Sequence, residues 1–261
     1  MSRERTPLMA GNWKMNLNHL EGVAHVQRMA FALKGEDYDA CEVVVLTPFT
    51  DLRSIQVLVE ADKLRIGYGS QDISRHAQGA YTGEVSGAML AKLGCSYAVV
   101  GHSERRQYHG ETNVVINAKA KAALANGITP IICYGEALEI REAGDQVLFS
   151  LGQVAECLEG FTPEEASSVV LAYEPIWAIG TGLTASPTDA QEVCGATRGW
   201  LAEHFGSDVA DQIRILYGGS MKASNVASLM AQPDIDGGLV GGASLDPDEF
   251  VAMARYRLAA G

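Results

Sequence analysis

The feature that most constrains the fold of this chain is a short apolar segment that recurs eight times along its length. Most of these segments are continuous rather than alternating, and they are rich in valine and isoleucine. Strands that are covered on both faces of a parallel sheet have this pattern. The eight predicted strands are Leu8–Trp13, Val43–Leu46, Leu64–Tyr68, Tyr97–Val100, Ile128–Tyr134, Val169–Tyr173, Ile213–Tyr217 and Gly237–Val240.

Amphipathic stretches between these segments predict helices. The stretch Val114–Asn126 has apolar residues at helical spacing, and Gly127 after it suits a left-handed helix cap. Ser186 and Pro187 predict the start of another helix, and Ala252–Leu258 is predicted to be the last one. Strand and helix therefore alternate about eight times, which predicts an α/β fold with a closed (β/α)8 barrel. A doubly wound open sheet is the alternative.

Composition narrows the class of protein. A chain of 261 residues has the usual length of one such barrel, and no linker or low-complexity stretch divides it, so we expect a single domain over residues 1–261. The formal net charge of −12 repels the phosphates of nucleic acids, so no nucleic-acid partner is expected. The chain has no apolar run of membrane-spanning length and no secretory pattern. We therefore expect a cytoplasmic protein without a membrane partner.

The cysteines and histidines give no pattern of metal ligands or disulfides. The five cysteines include no Cys-x-x-Cys, and the six histidines include no His-x-His or His-Glu-x-x-His. We expect reduced thiols and no bound metal.

The ends of the predicted strands carry the candidate functional residues, because the active site of an α/β barrel lies at the carboxyl ends of its strands. Asn12 and Lys14 end the first strand, His102 and Glu104 follow the fourth, and Glu174 follows the sixth. A lysine, a histidine and a carboxylate on one face suit acid–base chemistry on a small phosphorylated molecule.

Each of these side chains has a functional and a structural interpretation. Glu174 could be a base made stronger by an apolar, closable site, or a surface glutamate in a salt bridge. His102 precedes a predicted helix, so it could be a neutral hydrogen-bond donor to a substrate oxygen, or a capping or core histidine. Lys14 could bind an anion, with Glu104 on the neighbouring strand end as its partner, or it could be a solvated lysine.

Two glycine-rich turns follow the last two strands. Gly218-Gly219-Ser220 and Gly241-Gly242 allow backbone N–H groups to approach a ligand, and these two positions often bind phosphate in barrels. Glycine pairs are also common in ordinary turns. The segment Gly180–Ala185 matches a loose dinucleotide-binding pattern, but a proline precedes it and no helix follows directly, so a glycine hinge in a mobile lid fits better.

Five motifs, in order and at the expected spacing, closely resemble the triosephosphate isomerase family. They are Ala10–Asn16, Val100–Arg106, Ala172–Gly182, Tyr217–Ser220 and Leu239–Leu245. The resemblance covers essentially the whole chain. It implies a TIM barrel that interconverts dihydroxyacetone phosphate and D-glyceraldehyde 3-phosphate, a step of glycolysis and gluconeogenesis, with no cofactor.

The resemblance also implies residue roles. Glu174 transfers the proton, and His102 polarises the carbonyl; this pairing of a glutamate base with a neutral histidine is the established one of the family and is taken from it. Lys14 and Asn12 orient the bound anion. Glu104 and Cys133 lie behind the residues that contact the substrate and hold them in position. The segment 175–182 resembles the lid that keeps water from the intermediate. The remaining implied residues supply backbone contacts to phosphate: Gly180, Ser220, Gly241 and Gly242.

The loop Ser70–Glu84 is similar to the loop through which subunits of this family pair, so the resemblance implies a homodimer with Thr82 near the partner's Asn12. Two other functions stay open at this point: a different phosphosugar-processing barrel enzyme, such as an epimerase, and a non-catalytic barrel that serves as a binding module. The chain departs from the family pattern at four positions, which puts local packing in doubt: Tyr134, Ala137, Met221 and Ala223.

Overall fold

The computed structural model describes residues 5–179 and 184–258, and its strands form a closed parallel barrel. Each strand pairs in parallel with the next one, and the first also pairs with the eighth. A closed ring of strands confirms the predicted barrel and excludes the open sheet. The strands are β1 Leu8–Asn12, β2 Glu42–Thr47, β3 Gly67–Ser70, β4 Tyr97–Val100, β5 Thr129–Tyr134, β6 Val170–Tyr173, β7 Arg214–Tyr217 and β8 Gly237–Val240.

Helices connect the strands and cover the outside of the barrel. They are α1 His19–Ala32, α2 Gly35–Ala40, α3 Leu52–Asp62, α4 Gly87–Lys92, α5 Ser103–His109, α6 Asn113–Leu124, α7 Leu138–Ala143, α8 Gln146–Cys157, α9 Pro163–Ser167, α10 Pro187–Phe205, α11 Ser207–Ala210, α12 Val226–Met230 and α13 Pro247–Ala254. Short 3-10 turns are formed by Ile176–Ala178, Gly242–Leu245 and Tyr256–Leu258.

The third strand lies further along the chain than the sequence predicted. The apolar segment ends at Tyr68, whereas β3 continues to Ser70. A Cβ on Gly69 would lie 2.2 Å from the carbonyl oxygen of Tyr97, so only glycine fits where β3 approaches β4. The second half of this strand therefore has no apolar signal.

The last helix also begins earlier than predicted. It starts at Pro247 rather than Ala252 because the Asp246 carboxylate accepts hydrogen bonds from the N–H groups of Asp248 and Glu249. It ends at Ala254. The predicted start at Ser186–Pro187 is confirmed, since the Ser186 hydroxyl caps α10. The prediction for Val114–Asn126 is confirmed within two residues, and Gly127 has a φ of 70°.

The barrel interior is apolar along most of its axis and is plugged at the amino ends of the strands. There the Tyr97 hydroxyl donates to Glu42 at 2.7 Å and accepts from Arg214 at 2.7 Å, and Arg214 also pairs with Glu42. Burial raises the pKa of Tyr97 to about 12. This plug leaves the opposite end, where the strands' carboxyl termini lie, as the open end.

All five cysteines are buried and carry free thiols. Burial raises the pKa of Cys41 and Cys95 to about 12 and that of Cys157 to about 11, so these thiols stay protonated at neutral pH. Among the residues described, none of the helices is long and apolar enough to cross a membrane.

Candidate active site

A cavity of about 320 Å³ opens at the carboxyl ends of the strands. It collects six of the residues predicted from the sequence, which come from β1 and from the turns after β4, β7 and β8: Asn12, Lys14, His102, Ser220, Gly241 and Gly242. Residues distant in the sequence thus meet at one end of the barrel. The rest of the lining is formed by Ala178, Ile179, Gly218, Gly219, Met221, Lys222, Leu239 and Ala243.

Lys14 is held in place by its backbone and by its side chain. Its N–H donates to Asn12 Oδ1 at 3.0 Å, and its φ of 53° is unusual for a residue with a side chain. Its ammonium lies 2.6 Å from Glu104 Oε1, as predicted. The sequence predicted that Lys14 and Glu104 follow neighbouring strands. This was wrong, because β2 and β3 lie between β1 and β4. Gln71 bridges that gap by donating to the carbonyls of Lys14 at 2.9 Å and Leu46 at 3.0 Å.

His102 is the N-cap of α5, and its hydrogen bonds define its tautomer. The backbone N–H of Glu104 donates to His102 Nδ1 at 3.2 Å, so Nδ1 is unprotonated and the ring proton lies on Nε2. Nε2 lies 3.1 Å from Glu174 Oε1. Nε2 is therefore the ring nitrogen that is left to donate.

Glu174 is almost fully buried, with 2% of its surface exposed, and its carboxylate is held on α5. The Ser103 N–H donates to Oε2 at 2.9 Å, and the Ser103 hydroxyl donates to Oε1 at 3.2 Å. The carboxylate thus lies against His102 but is not among the groups that line the cavity. The turn after β7 leaves room for it, because a Cβ on Gly218 would lie 2.9 Å from Glu174 Cγ.

Two further residues of β5 and its end lie behind Glu174. Cys133 is fully buried, and its burial together with the Glu174 carboxylate raises the pKa of its thiol well above its usual range. Glu136 accepts hydrogen bonds at 2.9 Å from both the Tyr173 hydroxyl and the Trp177 indole. Burial raises the pKa of Glu136 above its usual value, although these donors oppose the shift. Glu136 therefore ties the start of the predicted lid to the barrel.

The predicted lid 175–182 is described only as far as Ile179, and its first part is the turn Ile176–Ala178. Gly180, predicted to bind phosphate, lies outside the described residues.

The two glycine turns line the cavity with their backbone. The backbone N–H groups of Ser220, Gly241 and Gly242 have no hydrogen-bond acceptor within residues 5–179 and 184–258. The Lys14 side chain crosses this turn, since a Cβ on Gly241 would lie 3.2 Å from Lys14 Cε. A ligand with several acceptor oxygens would therefore meet backbone donors and an ammonium in one place.

The loop Ser70–Glu84 leaves β3 and is exposed from Ala77 to Glu84. Within it, the rings of His76 and Tyr81 stack with their centres 3.7 Å apart. Its base is held by Asp72, which pairs with Lys119 at 2.6 Å and with Arg105 at 2.8 Å. Both cations also pair with the same oxygen, Oε1, of the buried Glu111 carboxylate.

Asp72 and Glu111 respond differently to this shared environment. Burial raises the pKa of Asp72, although Lys119 and Arg105 oppose it. Burial acts in the same direction on Glu111, but there the hydrogen bonds and charges of Lys119 and Arg105 outweigh it and lower the pKa.

Removing the cation at the centre of this network should destabilise the protein. We expect Lys119→Met to lower the free energy of unfolding by about 3–5 kcal/mol, because two buried carboxylates lose their shared partner. Urea denaturation followed by circular dichroism measures this loss. Lys92→Met is the matched control, since Lys92 is exposed at the end of α4. Equal stabilities of the two variants would contradict the structural role of the network.

Several residues of the site were missed in the sequence. Ser103 follows His102 directly at a helix start, so its position could have indicated a donor to a nearby carboxylate. Gln71 directly follows β3, which ends at Ser70. The predicted strand ended two residues earlier, so Gln71 was not recognised as a residue at a strand end. Met221 and Lys222 follow the first glycine turn, but nothing in the sequence showed that the turn directs them to the cavity.

Comparison with known proteins identifies the chain's relatives. Residues 7–257 match the family model described as triosephosphate isomerase. The triosephosphate isomerase of Streptomyces coelicolor is 65% identical over 97% of this chain and 98% of its own length. Those of Corynebacterium diphtheriae and Mycobacterium avium are 60% and 59% identical, and each alignment covers 96% of both chains.

Proposed function

The chain belongs to the triosephosphate isomerase family, and from that premise we propose which of its residues carry out the reaction. The protein is an isomerase that interconverts dihydroxyacetone phosphate and D-glyceraldehyde 3-phosphate, a step of glycolysis and gluconeogenesis. A proton leaves one carbon and is returned to the next, through an enediolate. The observation that most supports our assignment is the buried Glu174 carboxylate 3.1 Å from His102 Nε2, at the edge of a cavity that also contains Lys14.

We assign the base to Glu174. Its carboxylate is 2% exposed and lies 3.1 Å from His102 Nε2, so it is shielded from water next to the cavity. Because Ser103 holds the carboxylate outside the cavity, the side chain has to rotate away from α5 when substrate binds. Rotation would exchange the Ser103 hydrogen bonds for contact with the reacting carbons.

His102 is the proposed electrophile. Its Nε2–H can donate to the carbonyl oxygen of the substrate and stabilise the negative charge that develops there. Because Nδ1 accepts the Glu104 N–H, Nε2 is the ring nitrogen left to donate, as the neutral histidine implied by the family resemblance requires. A neutral donor can also pass its proton to the enediolate and recover it from the neighbouring hydroxyl.

Lys14 and Asn12 are the proposed anion-binding side chains, and the turns after β7 and β8 form the proposed phosphate cradle. The N–H groups of Ser220, Gly241 and Gly242, which have no acceptor among the described residues, support this assignment. Gly180 stays in the proposal from the family resemblance alone. Closure of segment 175–182 over the cavity would exclude water from the enediolate, which can otherwise lose its phosphate.

We also propose that the protein is a cytoplasmic homodimer that pairs through Ser70–Glu84. A second cavity of about 350 Å³ adjoins the active site and is lined by Asn12, Gln71, Met15 and Tyr108 among others. Met15 is 95% exposed and Tyr108 is 72% exposed in the single chain. Exposed apolar side chains at the wall of a cavity are suited to contact a partner's loop.

The dimer can be tested with one substitution on this surface. We expect Met15→Glu to shift the protein from dimer to monomer in sedimentation equilibrium, because it buries a charge in the interface. Phe31→Glu is the matched control, since Phe31 is 94% exposed on α1, away from this surface. A wild-type monomer would contradict the dimer, and a dimer unchanged by Met15→Glu would place the interface elsewhere.

Isomerisation of D-glyceraldehyde 3-phosphate in the presence of a metal chelator tests the function itself. Fast conversion to dihydroxyacetone phosphate is expected. A folded protein that converts no triose phosphate would contradict the assigned reaction, and activity only after a divalent metal is added would overturn the expected independence of cofactors.

A further inference from the structure

We propose that Lys222 is a specificity-determining residue, which attracts the phosphate dianion of the substrate to the mouth of the cavity. This inference rests on the proposed function, since it concerns the same cavity and the same phosphorylated substrate. It assigns part of the preference for a phosphorylated triose over an uncharged one to a side chain outside the acid–base machinery.

The first argument is the balance of charge around the cavity. Two cationic side chains line it, Lys14 and Lys222. The ammonium of Lys14 lies 2.6 Å from the Glu104 carboxylate, so much of its charge is compensated. Lys222, in contrast, forms no ion pair with any residue in the described parts of the chain. Among the described residues that line the cavity, Lys222 therefore carries the positive charge that no carboxylate compensates.

The second argument is position. Lys222 lies two residues after Ser220, in the turn after β7, and both residues line the cavity. The turn is well fixed, because the Lys222 N–H donates to Asn225 Oδ1 at 2.8 Å and its carbonyl accepts the Val226 N–H at 2.9 Å. The residue thus belongs to the side where phosphate would bind.

The third argument is the charge of the whole protein. With a net charge of −12, the surface repels a dianion on approach, so a local cation at the entrance has a disproportionate effect on capture. Glu249 contacts this turn by accepting the Ala223 N–H at 2.7 Å. Its carboxylate forms no ion pair with Lys222 in the described parts of the chain.

The test compares Lys222→Gln and Lys222→Arg with the wild type, and Lys92→Gln serves as the control for an exposed lysine far from the cavity. For each protein, kcat and KM are measured with D-glyceraldehyde 3-phosphate and with D-glyceraldehyde, which lacks the phosphate. The measurements are made at about 10 mM and about 150 mM ionic strength, where the screening length falls from about 30 to about 8 Å.

At low salt we expect Lys222→Gln to lower kcat/KM for the phosphorylated substrate about fivefold, mainly through KM. At the higher salt the loss should shrink to about twofold, because salt screens the attraction between the wild-type lysine and the phosphate. Lys222→Arg should restore most of the loss. The effect on D-glyceraldehyde should be distinctly smaller, and Lys92→Gln should affect neither substrate.

Equal losses for both substrates would overturn the proposal, because they would indicate a structural defect of the turn. Losses that do not depend on salt, or that arginine does not rescue, would also overturn it. Failure of the proposed function is distinguishable from these results, since the wild type would then not isomerise D-glyceraldehyde 3-phosphate at all.

Discussion

Replacing Glu174 with glutamine is expected to lower kcat by about 10³- to 10⁴-fold, the upper part of the range found for a single acid–base group. An amide cannot take a proton from carbon, but it has nearly the shape of the carboxylate and its oxygen can still accept the Ser103 N–H. The variant should therefore keep its fold. Because the loss concerns the chemical step, it should appear in kcat rather than in KM.

Glu139→Gln is the matched control for this prediction. Glu139 is exposed on α7, so its replacement removes one carboxylate without touching the cavity. We expect it to retain wild-type kcat, and thermal unfolding should show both variants to be folded. A Glu174→Gln enzyme within about tenfold of the wild type would show that another group is the base.

His102→Gln has the second largest expected effect, a decrease in kcat of about 10²- to 10³-fold, as for the loss of one donor to a developing oxyanion. Glutamine retains an N–H that can reach the substrate, but it cannot exchange a proton with the enediolate as a neutral imidazole can. Steady-state kinetics with both substrates measures the loss.

His19→Gln controls for the replacement of a histidine, because His19 is exposed at the start of α1. It should behave like the wild type. If His102→Gln kept full activity, the polarising role would have to pass to Lys14 or Asn12, and the histidine would be only the cap of α5.

The fold could be predicted from the sequence because the buried strands of a parallel barrel are continuous apolar runs. β4 Tyr97–Val100 and β8 Gly237–Val240 have the predicted bounds. The prediction failed at β3, where close contact between strands requires glycine rather than an apolar side chain. It failed again at α13, because Asp246 and Pro247 start the helix ahead of the predicted apolar segment.

The components of the site could be predicted because a barrel brings the carboxyl ends of its strands to one face. That rule alone placed Lys14, His102 and the glycine turns around one cavity. It could not give side-chain orientation. The hydrogen bonds from Ser103 that hold Glu174 outside the cavity depend on a rotamer choice between β6 and α5, which no spacing in the sequence records.

The comparisons with known proteins do not support the two alternative functions. A different phosphosugar enzyme or a non-catalytic barrel would not be expected to match the triosephosphate isomerase model over residues 7–257, with relatives of that name at 58–65% identity.

The central claim is that a single side chain moves a proton between two carbons of the substrate. The most direct test is to convert D-glyceraldehyde 3-phosphate in D2O with chelator present and to locate deuterium in the dihydroxyacetone phosphate by NMR. A carboxylate that takes the proton can exchange it with solvent, so deuterium is expected at C1 of the product. A product formed at full rate with no deuterium at that carbon, and none in recovered substrate, would indicate direct hydride transfer and contradict the account.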